Sequence, residues 1–230
     1  MSNAHATRER IRRIVARDLR PVRPLLTPNT RLLLLVPIAA LVALLAAFRY
    51  RLGLLLGFDE LGGFLTFGLS GLEWTVGVLI LGTALRRAVP GDGVSRLAIW
   101  SLCGLAVVTM IAITEMTYAA HQVFVPPARL WRISYECILG PLEFGAPFLV
   151  VATVLAARAF PTHPGSAGAL CGLASGVLVD SGWRLTCWIT SPAHVLGTHF
   201  LAVAVLTGSG AIMSTVIDKV RSRTITAAAS

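Results

Sequence analysis

The residues best suited to chemistry are Cys137 and a stretch from Trp183 to His199, WRLTCWITSPAHVLGTH, that gathers Cys187, His194 and His199 between two apolar runs. A pair of thiols can close to a disulfide, and thiolate with imidazole is a ligand set for soft and borderline metals. Ionisable groups inside apolar runs are costly, which sets Glu73, Glu115, Glu143 and Asp180 beside the cysteines as residues held there for function or packing. Glu143 follows Cys137 by about 9 Å along a helix. His194 and His199 are five apart and point about 140° away from each other on a regular helix, so the spacing predicts that they do not share one ion without a break there. Cys137 and Cys187 are therefore the primary redox or metal-sensing candidates, with Glu143, His194 and His199 as supporting residues. Cys103 and Cys171 sit in two LCGLA segments and read as small apolar packing. There is no CxxC and no local Cys/His block, which excludes a preformed zinc module. Without a CxxC, the chain also lacks the closely spaced pair a membrane thiol oxidoreductase needs. No enzyme activity and no cofactor are expected.

The elements that must position these residues are membrane spans. Apolar residues make up 55% of the chain, charged residues 13%, and the mean hydropathy is +0.75, far from the balance of a soluble domain. Six apolar runs, near 32–48, 63–85, 97–120, 135–160, 165–185 and 193–216, are each long enough to cross about 30 Å of hydrocarbon. The fold class expected is an all-α integral membrane protein of six transmembrane helices. A basic segment (1–31) precedes this domain (32–216), and a short tail (217–230) follows it. The tails and even-numbered loops carry 15 Lys and Arg residues against 5 in the odd-numbered loops, so both termini are expected in the cytoplasm. Cys137 and Cys187 then share the outer side, near Trp131, Tyr135, Trp183 and Trp188, whose rings suit a membrane interface. Gly168, Gly172 and Gly176 recur every four residues and permit close helix contact.

The basic segment carries its own signal. Ile11, Ile14, Val15 and Leu19 form an apolar stripe flanked by arginines, and Pro21 ends or kinks the helix. Such a stripe suits either anionic lipid or a soluble partner.

Asp18, Leu19, Pro21, Val22 and Arg23 in DLRPVR, the turn Val89-Pro90-Gly91, Cys137 ahead of a proline-containing span, and Cys187 followed by Ser191 and Pro192 resemble, in this order, the NrsF-like membrane anti-sigma factors. Pro24 stands where that family carries a second arginine. The resemblance implies a multi-pass protein of the bacterial inner membrane. Its partner is an extracytoplasmic-function sigma factor, with no direct nucleic-acid contact. Ile11, Ile14, Val15, Asp18, Leu19, Pro21, Val22 and Arg23 would hold that partner. Oxidation of Cys137 and Cys187, or their capture by a thiophilic metal, would release it. The other class left open is a small-molecule or metal-ion transporter, for which Glu73 is the central polar residue.

Overall fold

A computed structural model describes residues 7–10, 12, 25–49, 51–91, 94–123 and 125–229, with the side chains of 51–61, 127–128 and 225–229 left undescribed. The expected docking residues Ile11, Ile14, Val15, Asp18, Leu19, Pro21, Val22 and Arg23 lie outside the described residues. From residue 28 onward, six long helices form: α1 (Pro28–Phe48), α2 (Arg51–Arg87), α3 (Arg96–Ala120), α4 (Pro127–Ala157), α5 (Pro164–Trp183) and α6 (Pro192–Ala229). There are no strands among the described residues.

Local sequence explains the boundaries. The Thr27 hydroxyl accepts from the Thr30 amide at 3.2 Å, and Ser95 does the same for Ala98 at 3.1 Å, so each caps the amides its helix leaves unsatisfied. Pro28, Pro127, Pro164 and Pro192 open helices, where a missing N–H costs nothing. Gly62, at φ 71° and ψ 149°, interrupts α2 in a conformation few side chains tolerate. The apolar portion of α2 accordingly begins at Gly62. The last helix continues through the segment expected to be a tail, as far as Ala229.

Five helical stretches, Pro28–Phe48, Gly62–Arg87, Arg96–Ala120, Arg129–Ala157 and Pro192–Thr224, are long and apolar enough to cross a membrane. They turn large apolar side chains outward, among them Leu33, Leu97, Val108, Val150 and Ile212, as a lipid-facing surface requires. The sixth helix, α5, is not among them. Fifteen of its 20 residues are buried, and it packs against α1, α2, α4 and α6. A helix sheathed by protein has no lipid-facing stripe to fill, so glycine, alanine and serine replace large apolar residues.

The glycine pattern has the expected consequence. A Cβ on Gly168 or Gly172 would overlap the backbone oxygens of Gly210 and Leu206, and one on Gly176 would come within 2.9 Å of the Val203 Cα. The backbones of α5 and α6 therefore approach closely along this seam. Cys171 is fully buried within it as a packing residue.

Candidate functional site

Three separate elements deliver the thiols and imidazoles to one end of the bundle. Cys137 lies in the third turn of α4, Cys187 in the short connection between α5 and α6, and His194 and His199 in the first two turns of α6. The two sulfur atoms are 3.7 Å apart, and Cys187 Sγ is also 3.7 Å from His194 Nε2. One ligand atom from each of Cys137, Cys187, His194 and His199 falls within 4.8 Å of all the others. The hydrogen bond shared with Cys137, together with burial, holds the Cys187 thiol well above its ordinary range.

This corrects the expectation drawn from helical spacing. The 140° separation describes Cα directions, but the two rings stand at 74° to each other with centroids 6.1 Å apart, and a nitrogen of each lies within 4.8 Å of the Cys187 sulfur. Each ring is oriented from behind. Ser134 Oγ lies 3.1 Å from His194 Nδ1, and an Asp180 oxygen lies 2.5 Å from His199 Nδ1. Both contacts engage Nδ1 and leave Nε2 as the nitrogen available to the cluster. His199 is 1% exposed, and its Nε2 has no hydrogen bond of acceptable geometry among the described residues.

Behind the imidazole lies a buried charge cluster. Arg184 Nε is 3.0 Å from Asp180 and 2.9 Å from Glu73, and its guanidinium also reaches Thr114 Oγ1 and the Met110 carbonyl. Glu73 is therefore held by an arginine and is not a solitary carboxylate in the middle of a span. Asp180 is the acidic residue that touches the site. Glu143, expected to support the cysteines, instead faces outward and pairs with Arg49 at 3.4 Å. Arg132 pairs with Glu136, four residues along the same helix.

A cavity opens beside the cluster between α2, α3 and the loop before α6. Leu65, Leu69, Ile113 and Ile189 line it with the hydroxyls of Thr66 and Thr190, and Cys187 and His199 form part of its wall. Trp131, Tyr135 and Trp188 are exposed at this end, as their expected interfacial role requires. Trp183 departs from that expectation: it is 2% exposed, and its ring fills the space that a Cβ on Gly140 would occupy.

The model of one protein family, described as the negative regulator of sigma F, matches residues 15–217. Comparison with curated proteins and with solved structures gives no match. The family match begins within the basic segment and runs through all six helices into the last, covering both cysteines and both histidines. Over that extent the chain belongs to the NrsF family, the negative regulators of sigma F.

Proposed function

We propose that this protein is a membrane-bound anti-sigma factor that holds an extracytoplasmic-function sigma factor at the cytoplasmic face of a bacterial inner membrane. All six helices cross, α5 included, and residues 1–31 form the docking segment. Oxidation of Cys137 and Cys187, or their capture of a thiophilic metal, releases the partner. The observation that carries this reading is the 3.7 Å approach of two sulfurs that are 50 residues apart in sequence. A disulfide requires them to close to about 2.05 Å, which displaces α4 against the loop before α6.

A route for that displacement starts from Arg31, where the docking segment ends. This side chain is 3% exposed and donates from Nε to the Leu26 carbonyl at 2.8 Å and from Nη1 to the Leu155 carbonyl at 3.2 Å. Leu155 is in the last turn of α4, about 27 Å along that helix from Cys137 at about 1.5 Å per residue. Arg221 donates to the neighbouring Ala157 carbonyl at 2.7 Å. The helix that bears one sensing thiol is thus clasped at its other end by the residue that closes the docking segment. An outer event changes sigma-factor affinity only through a difference between two packings, and α4 is the element common to both sites. The transporter reading loses support because Glu73 is engaged by Arg184 in a buried ion pair.

The test uses the full chain in lipid nanodiscs and the extracytoplasmic-function sigma factors of its host cell, offered one at a time. Capture that is lost on mild oxidation, and retained by the Cys137→Ser, Cys187→Ser double variant under the same oxidant, is expected. Capture that is indifferent to oxidant and metal, or absent altogether, refutes the reading.

A further inference from the structure

We infer that Cys137, Cys187, His194 and His199 form a four-coordinate site for a zinc-class divalent ion, with Ser134 and Asp180 orienting the two imidazoles. The inference concerns the site just assigned to sensing. It rests on that reading only for its regulatory consequence, since the ligand set stands on its own geometry.

Tetrahedral zinc binds thiolate at about 2.3 Å and imidazole at about 2.0–2.1 Å, so the edges of its ligand tetrahedron are about 3.8 Å between two sulfurs and about 3.6 Å between sulfur and nitrogen. The Sγ–Sγ and Sγ–Nε2 separations are each 3.7 Å. None of the six separations exceeds 4.8 Å, so small side-chain rotations complete the tetrahedron. Four protein ligands leave no open position, as in sites that hold a metal without doing chemistry at it.

Three further features point to an ion. The buried His199 Nε2 makes no hydrogen bond among the described residues, a cost that a metal would remove. Asp180 and Ser134 hold the Nδ1 atoms, the carboxylate–histidine arrangement that fixes ring orientation at metal sites. Charge selects the oxidation state. A divalent ion with two thiolates is neutral, whereas a monovalent ion would leave a net negative charge beside Asp180 and Glu73 in a buried setting. Binding replaces the thiol protons of Cys137 and Cys187 with the ion and releases two protons to solvent.

The experiment uses the full chain purified in detergent and checked for a single species by size exclusion. One equivalent of zinc per chain by elemental analysis is expected. Cobalt(II) in its place should give the visible bands of a tetrahedral ion with a thiolate charge-transfer band. Cys187→Ser should lower that band to about half. His194→Ala and His199→Ala should keep it while shifting the visible bands and weakening zinc against a competing chelator. Ser134→Ala, the variant least disruptive to folding, and Asp180→Asn should each weaken zinc by about 10–100-fold, and Cys103→Ser should leave zinc unchanged. Folded protein without stoichiometric zinc, an octahedral cobalt spectrum, or histidine variants that bind zinc like the parent would each overturn the site. Stoichiometric zinc whose removal leaves sigma-factor capture unaltered supports the site and counts against the regulatory reading. A cysteine-dependent response that survives both histidine variants with undiminished zinc overturns the site and leaves that reading standing.

Discussion

Replacing Arg184 with leucine tests whether the buried charges are a structural unit. The guanidinium is 9% exposed and lies 2.9 Å from Glu73 and 3.0 Å from Asp180, whose side chains are 0% and 1% exposed. At an effective dielectric constant of about 20, each contact is a gross attraction of about 5–6 kcal/mol, most of it offset by the cost of taking the charges out of water. Removal of the cation leaves two carboxylates facing one another with only His199 as a partner. Breaking a buried pair in this way costs about 3–5 kcal/mol. For a chain of this size that corresponds to a fall in thermal midpoint of roughly 6–20 °C. The assay is unfolding of detergent-solubilised protein followed by helical circular dichroism, for Arg184→Leu, for Glu73→Gln and for the Glu73→Gln, Arg184→Leu double variant. Because Glu73→Gln removes the carboxylate stranded by Arg184→Leu and Asp180 keeps His199, the two changes should cost less together than separately by about 1–3 kcal/mol. A single variant within about 0.5 kcal/mol of the parent, or strict additivity, would refute the claim that these charges depend on each other.

Further expectations follow from other contacts. Gly172→Ala places a methyl on the Leu206 backbone oxygen and should cost at least about 1–3 kcal/mol in melting experiments, whereas Gly104→Ala, with nothing within 4 Å of the new Cβ, should be neutral or stabilising. Mild oxidant should join Cys137 to Cys187 within one chain, detected by peptide mapping, and leave the buried Cys171 thiol free. Arg31→Ala should keep sigma-factor capture while weakening its relief by oxidant, with faster amide exchange in the last turn of α4; an unchanged oxidant response would remove Arg31 from the route.

The sequence expectations that lie nearest the structure concern the helices, because a membrane-length apolar run is a local property. Thr27 and Ser95 stand where a cap is needed, and the run after each is long enough to cross. The six runs set down from the sequence coincide with α1 to α6 within a few residues, apart from the longer extents of α2 and α6 and the earlier start of α4 at Pro127. The glycine seam was legible for a similar reason, since a four-residue repeat marks one helix face whatever that face meets.

The site was legible only in part. Cys137 and Cys187 could be assigned to one end because chain reversals are counted along the sequence. Which carboxylate joins them could not, because Glu143 and Asp180 are equally acidic and similar in depth, and only helix rotation turns one toward Arg49 and the other toward His199. The absence of a local Cys/His block ruled out a module built from one segment, yet four ligand atoms converge from three elements. A block signal reports ligands held by one short turn and is blind to those that α4, α6 and a loop bring together.

From sequence alone one reads a helical membrane bundle, its basic leading segment and the pair of cysteines proposed here to sense. It took the packing of the helices to bring His194 and His199 together, bury Trp183 and let Glu73 and Asp180 share Arg184. Hydropathy reports how a residue partitions between water and lipid. It says nothing about the rotation of one helix against another, and that rotation places each side chain in lipid, in the core or at the site.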